Sequence, residues 1–265
     1  MTTPIIRWAG SKRPILNVLQ AAMPSKFRRY IEPFAGSGAL YLSLAPCPAI
    51  LGDVNSSLVA TYRSVRAFPH AVWREINAMP TEPDYYYYLR NLDEATLSKR
   101  SQAARFIYLN RFCFNGVYRT NRAGRFNVPR GRGRLHIPSE EEFCAFARHL
   151  RHADLVQDDF EPVLQQARSG DFVYMDPPYS TSGKRDRGEY GRDSFRDRDL
   201  VRFIDATLAA SDRGAKILIS YSSSSALHEP LRARGWNIRS LHVHRNVAGF
   251  CGHRGKAEEL LVTNY

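Results

Sequence analysis

At 265 residues, 43% hydrophobic and 12% aromatic, the chain can bury a full core as one α/β domain, or as one domain carrying a large insertion. No apolar run is long enough to span a membrane and Met1-Thr2-Thr3-Pro4 opens no secretory signal, so a cytoplasmic protein without membrane contact is expected. Cys47, Cys113, Cys144 and Cys251 are widely spread with no Cys-x-x-Cys pair, which argues against a metal site or a disulfide frame, and the net charge of +12 points to an acidic partner such as nucleic acid.

Ile5 to Arg13 is an apolar opening that runs into a small-residue loop. Pro14 then starts an amphipathic helix ending near Met23, with Ile15, Leu16, Val18 and Leu19 on its apolar face. Tyr30 to Phe34 reads as a buried strand leading into Ala35-Gly36-Ser37-Gly38-Ala39-Leu40, a glycine turn that opens a helix. Gly36 and Gly38, so placed, have the form of a nucleotide-type cofactor loop. Ile50 to Gly52 is a second strand ending in Asp53, an acid suited either to ribose hydroxyls or to capping the helix that follows from about Ser56.

From Ser57 to about Leu150 the strand–helix rhythm breaks. Leu58 to Met79, Tyr85 to Leu97 and Gln102 to Phe112 read as helices. Asn115 to Pro129 alternates about a turn at Asn121 to Gly124, the pattern of a β-hairpin. Ser139-Glu140-Glu141-Glu142 marks a helix start. The rhythm resumes with strands at Leu155 to Gln157 and Phe172 to Met175. Lys184 to Asp199 is expected to be a mobile loop, Leu200 to Ala210 a helix, Ala215 to Tyr221 a strand and Ala226 to Arg234 a helix. Ile238 to His244 and Glu258 to Thr263 are expected to pair antiparallel.

Two stretches carry chemistry. Lys99 to Arg134 holds ten basic residues and neither Asp nor Glu, with Phe106, Tyr108, Phe112, Phe114, Tyr118 and Phe126 interleaved. Compositional bias accounts for arginine outnumbering lysine 32 to 6 across the chain, but not for the missing acids; a nucleic-acid surface accounts for both. The second is Val173-Tyr174-Met175-Asp176-Pro177-Pro178-Tyr179, a strand stopped by two prolines, which lack the ladder donor. The Asp176 carboxylate and the Pro177 carbonyl suit the two hydrogens of a planar amino group, and Tyr179 offers a ring for a base to stack on. The alternative is an ordinary strand-to-loop turn in which Asp176 caps and Tyr179 packs.

The order of short motifs is more specific than any one of them. Arg7-Trp8-Ala9-Gly10-Ser11-Lys12, Glu32-Pro33-Phe34-Ala35-Gly36-Ser37-Gly38, Asp53-Val54-Asn55, Tyr108-Leu109-Asn110-Arg111 with Asn115-Gly116, Gly124-Arg125-Phe126-Asn127-Val128-Pro129, Asp159-Phe160 and Asp176-Pro177-Pro178-Tyr179 follow one another nearly end to end. In this the chain resembles DNA adenine-N6 methyltransferases of the Dam type, the D12 class, whose cofactor motifs precede the recognition segment and the Asp-Pro-Pro-Tyr motif. The resemblance implies a Rossmann-like seven-stranded sheet binding S-adenosyl-L-methionine, formed by residues 1–56 and 151–265. Residues 57–150 would be an inserted, mostly helical target-recognition domain carrying the β-hairpin.

It also implies roles. Trp8, Lys12, Asp53 and Asp176 fall on cofactor-contacting positions, Phe34 and Val54 would flank the cofactor adenine, and Asp159 and Phe160 would meet its edge. The cofactor has no phosphate, so Gly36 and Gly38 would serve close backbone approach. Asp176 and Pro177 would hold N6 of a flipped-out adenine in double-stranded DNA, and Tyr179 would stack on it. Arg7, Val117, Arg119 and Pro129 stand where the family reads GATC, with Asn115, Asn121, Arg122, Asn127, Arg130 and Arg132 as further DNA contacts. Val117 replaces a leucine of the family and Phe114 a tyrosine. No metal is implied, a monomer is expected, and a partner restriction endonuclease is left open. Cytosine N4 or RNA adenine as target, or a non-catalytic DNA-binding relic, are the competing functions.

Overall fold

The computed structural model describes residues 2–121, 123–132, 136–179, 195–244 and 256–265. Arg122, Arg134, residues 184–194 of the expected loop, and residues 245–255 of the last turn lie outside them.

Leu16–Ala22 (α1) follows a 3-10 turn that contains Pro14, where the missing N–H costs no helical hydrogen bond. Tyr30–Glu32 (β1), Ala39–Leu44 (α2) and Ala49–Asp53 (β2) come next. Four helices then precede the basic excursion: Ser56–Ala67 (α3), Pro69–Asn77 (α4), Pro83–Asn91 (α5) and Lys99–Phe112 (α6). Glu140–Leu150 (α7) starts in a capping box, Ser139 with Glu142, and leads to Ala153–Gln157 (β3). The remainder is Phe160–Leu164 (α8), Phe172–Met175 (β4), Asp197–Asp212 (α9), Lys216–Ser222 (β5), Ser225–Ala233 (α10), Asn237–His244 (β6) and Lys256–Thr263 (β7).

The strands form one seven-stranded sheet in the order β3-β2-β1-β4-β5-β7-β6, the expected Rossmann-like arrangement. The inner strands are parallel, and β7 is antiparallel to both of its neighbours. The chain leaves β1 toward β2 and β3, then returns to β4 on the other side. The carboxyl ends of β1 and β4 therefore flank the point where the winding reverses, where a crevice opens in such sheets. Successive residues point to opposite faces, and both faces are buried. Tyr30, Leu51, Phe172 and Leu218 share a core with α3 to α7, whereas Ile31, Ile50, Val173 and Ile219 pack on α8, α9 and α10. No helix among the described residues is long and apolar enough to cross a membrane.

Three expectations are corrected. Leu58 to Met79 is two helices: Phe68 (φ −137°, ψ 55°) is pushed off the helix by Pro69, which restricts the residue before it. Tyr85 to Leu97 stops at Asn91, and Asp93 caps a separate 3-10 turn at Glu94–Thr96. Asn115 to Pro129 folds back as expected, with Asn121 Oδ1 accepting the N–H groups of Ala123 and Arg125 to build the turn. It does so without ladder strands: the pairing is two isolated bridges, Cys113 with Arg130 and Thr120 with Phe126. Gly116 (φ 65°) and the left-handed Asn115 (φ 55°) take the chain out of the extended region at its start.

Candidate active site

A cleft of about 390 Å³ lies at the carboxyl ends of β1, β2 and β4. Trp8, Lys12, Phe34, Gly36, Asp53, Val54, Asp159, Phe160, Asp176, Pro177 and Tyr179 all line it. Gly38 does not; at φ 63° it starts α2, its carbonyl accepting the Leu42 N–H. Arg7, Asn115, Val117, Arg119, Asn121, Asn127, Pro129, Arg130 and Arg132 stand outside the cleft, on the opening segment and the excursion after α6. Tyr118 joins the two regions, lining the cleft while stacking on Trp8 at 5.8 Å and 21°.

The glycine turn is held from three sides. Gly36 N–H donates to Asp53 Oδ2 at 2.9 Å, Tyr62 Oη donates to the Gly36 carbonyl at 2.6 Å, and Ala35 N–H donates to the Gly52 carbonyl at 2.8 Å. A Cβ on Gly36 would sit 2.7 Å from Trp8 Cδ1, so the indole closes directly over the backbone. Gly36→Ala combines that clash with a left-handed φ of +46°. Its Tm is expected to fall by roughly 5 °C or more, in the range of a loss of about 2 kcal/mol in a chain of this size. An unchanged Tm would show that Trp8 does not lock the turn.

Asp53 is not the helix cap. Its Oδ1 accepts from Asn55 N–H at 2.9 Å, and it is Asn55 that caps α3 by accepting from Leu58 N–H at 3.0 Å. Removal from water pushes the Asp53 carboxyl up to about 6, against the bonds from Asn55 and Gly36. Glu32, on β1 beside it, is buried, accepts from Tyr30 Oη at 2.8 Å, and is pushed by burial up to about 8. Between pH 4.5 and 8 the unfolded chain has lost this proton and the folded chain still holds it. Stability should therefore fall as pH rises through that window, by at most about 1.4 kcal/mol per unit. Glu32→Gln is expected to flatten that slope in chemical-denaturation curves, and an unaltered slope would remove Glu32 as its source.

At the far wall the Phe34 ring stacks on Phe160 at 5.5 Å and 26°, with Arg202 of α9 5.1 Å over the Phe160 ring. Asp159 caps α8 and pairs with Arg202 at 3.3 Å. Val54 sits exposed at the rim.

The corner around Asp176 is an ion cluster. Lys12 Nζ donates to Asp176 Oδ1 at 2.6 Å and to the Gly10 carbonyl at 3.2 Å, and lies 3.1 Å from Glu259 Oε1. Burial opposes the Lys12 charge, and Asp176, Tyr179, Tyr174 and Glu259 around it together more than restore it, so the ammonium persists at all working pH. Burial raises the Asp176 carboxyl, with Lys12 acting against the shift. Ser220 Oγ donates to the same Oδ1 at 3.3 Å, so both hydrogen bonds to Asp176 among the described residues land on one oxygen. Tyr179 Oη donates to Glu259 Oε1 at 2.7 Å, and its ring meets Tyr221 edge-on at 5.3 Å.

Nothing local in the sequence singles out Glu259, Ser220 or Arg202. The available signal for Glu259 is an acid inside a strand whose neighbours Leu260, Leu261 and Val262 are all apolar, although Glu258 beside it makes the facing ambiguous. Asn110, within a quoted motif but given no role, clasps the Arg7 backbone: Arg7 N–H donates to its Oδ1 at 2.7 Å and its Nδ2 donates to the Arg7 carbonyl at 2.6 Å.

Comparison with known proteins agrees with this architecture. The D12 class N6 adenine-specific DNA methyltransferase family matches residues 8–242. A type II methyltransferase of Lactococcus lactis subsp. cremoris is 35% identical over 99% of this chain and 95% of its own. One from Methanocaldococcus jannaschii is 30% identical over 99% of each chain, and the DNA adenine methylase of Escherichia coli K12 is 30% identical over 97% of this chain and 93% of its own. The matched span takes in the glycine turn, the excursion after α6 and the Asp176-Pro177-Pro178-Tyr179 turn together, and the chain belongs to the D12 class of N6 adenine-specific DNA methyltransferases.

Proposed function

We propose that this methyltransferase draws its methyl group from S-adenosyl-L-methionine and transfers it to N6 of an adenine flipped out of duplex DNA, within GATC. The cleft fits that donor. It offers the stacked Phe34 and Phe160 rings for a purine, Asp53 for a ribose, Lys12 for a carboxylate, and the Asp176 carboxylate for an ammonium. Its volume lies in the usual range for small-molecule sites. When bound, the donor supplies an electrophilic methyl on a sulfonium.

The observation that carries the reading is the asymmetry at Asp176. Among the described residues Lys12 and Ser220 donate to Oδ1, which leaves Oδ2 to accept from an amino group. With the Pro177 carbonyl as second acceptor, both N6 hydrogens are held and the lone pair is freed from the ring. The Tyr179 face stacks on the base. Catalysis is then alignment in a water-poor corner, which can supply ~7–11 kcal/mol. An adenine inside the helix cannot reach this corner, which lies in the cleft at the carboxyl ends of the central strands β1 and β4, so extrusion is required.

Residues 57–150 serve as the recognition unit. Arg119 is pre-aimed: its Nε donates to Asn127 Oδ1 at 2.8 Å, which removes one torsional freedom before DNA arrives. Arg7 is exposed, with its backbone clasped by Asn110 and its Cβ against Gly116. Two held arginines suit the two guanines of GATC, each read through O6 and N7. Arg130 is partly committed to the Thr81 carbonyl, whereas Arg132 is exposed for phosphate.

The test is methylation-sensitive sequencing of plasmid DNA from cells expressing the protein, together with radiolabel transfer from S-adenosyl-L-methionine. N6-methyladenine confined to GATC is expected, and Arg119→Ala should lose ~1–3 kcal/mol of discrimination at the last position only. Modified adenines without GATC enrichment would end the site assignment and leave adenine methylation standing.

A further inference from the structure

We propose that Glu259 is a positioning residue for the methyl-accepting pocket: it sets the plane of the Tyr179 ring and draws part of the Lys12 ammonium away from Asp176. The proposal rests on the reading above in which Asp176 and Tyr179 hold the target base.

Glu259 is 4% exposed and sits on β7, opposite Ser222 of β5. A buried acid is costly unless paired, and here one oxygen has two partners. Oε1 accepts the Tyr179 hydroxyl at 2.7 Å and lies 3.1 Å from Lys12 Nζ.

Each partner has a consequence. The hydroxyl bond and the edge-on contact with Tyr221 fix the Tyr179 ring at two points. The hydroxyl is thus spent on the protein, and the part of Tyr179 proposed to meet a base is its ring. Lys12 Nζ donates to Asp176 Oδ1, the Gly10 carbonyl and, at 3.5 Å, Tyr179 Oη, and its charge lies 3.1 Å from Glu259 Oε1. A Lys12–Asp176 pair alone would be neutral. With Glu259 the three charges sum to −1, so Asp176 keeps acceptor strength for an amine and the corner favours a cationic donor.

The test uses the full-length enzyme and duplex DNA carrying 2-aminopurine at the target position. Glu259→Gln keeps an oxygen for the Tyr179 hydroxyl and removes the charge. It should lower kcat about tenfold, less than the ~10²–10³ lost with a group that touches the transition state, while KM for DNA and base emission stay near wild type. Glu259→Ala should lower kcat and also change the emission, and Tyr179→Phe should reproduce the emission change while keeping all three charges of the cluster. Should Glu259→Ala not fold, the other two variants test the two arms separately. Wild-type kcat in Glu259→Gln overturns the charge arm, and wild-type emission in Tyr179→Phe overturns the ring arm. A lowered Tm with both readouts unmoved reduces Glu259 to a structural ion. Asp176→Ala separates the levels: activity there defeats the underlying reading, whereas an inactive Asp176→Ala beside a fully active Glu259→Gln defeats only the positioning role.

Discussion

Asp176→Ala will abolish methyl transfer while leaving DNA binding intact. The carboxylate is the one acidic side chain at the Asp-Pro-Pro-Tyr turn, and its Oδ2 faces no donor among the described residues. On the proposed reading alanine removes the acceptor that localises the N6 lone pair, and removal of one pre-organised polar group of this kind costs on the order of 10²–10³ in rate. Because the same side chain also aligns the base, a loss of ~10³ or more in kcat is expected. The fold should survive, since Lys12 retains Glu259 at 3.1 Å as its counter-charge. Arg119, Arg125 and Arg132 lie outside the cleft, so the affinity for duplex DNA at fixed salt should stay within about twofold. Turnover within tenfold of wild type, with label on adenine N6, would show that another group holds the amine.

Lys12→Met will cost both stability and activity, and the two losses can be separated. Lys12 is buried between Asp176 and Glu259. A methionine of similar length leaves both carboxylates in a low-dielectric corner without their cation. Stranding a buried charge in this way costs about 3–5 kcal/mol, which for a chain of this size is a fall in Tm of roughly 10 °C. The deficit should shrink as pH falls, because the stranded acids then take up protons and no longer carry charge. Adding Glu259→Gln to Lys12→Met removes one stranded charge and should recover part of the Tm but none of the activity. A single Lys12→Met variant as stable as wild type at pH 8 would show that water or relaxation solvates the cluster.

The sequence by itself determined what depends on neighbours along the chain. Gly36 and Gly38 between a strand and a helix could only be a tight turn, because their positive φ values are closed to most side chains. Asp176-Pro177-Pro178-Tyr179 had to end β4, because proline cannot continue a ladder. Ser139 with Glu142 marked the start of α7, and short apolar runs and periodic apolar residues marked strands and helices. Pro69 was a local signal too, and its effect on Phe68 outweighs the apolar periodicity that runs through it. The alternation from Asn115 to Pro129 was a weaker one: Asn121 makes the turn, but the left-handed Asn115 and Gly116 divert the chain at its start, and two isolated bridges form instead of a ladder.

The tertiary structure alone decided which charges meet. Lys12 and Asp176 are 164 positions apart, and Tyr179 and Glu259 are 80 apart. No periodicity couples them. They converge because β4 returns beside β1 and because β7 is inserted antiparallel next to β5, which brings the Glu259 end of that strand to the mouth of the cleft. The same placement decided between the two roles open to Asp53, since the Asn55 side chain reaches the first turn of α3 and Asp53 reaches Gly36 instead. Backbone propensity and turn chemistry act over a few residues, so they are legible in order. The energy of a buried ion depends on every group within several ångströms, and those neighbours are known only once the sheet order has put them there.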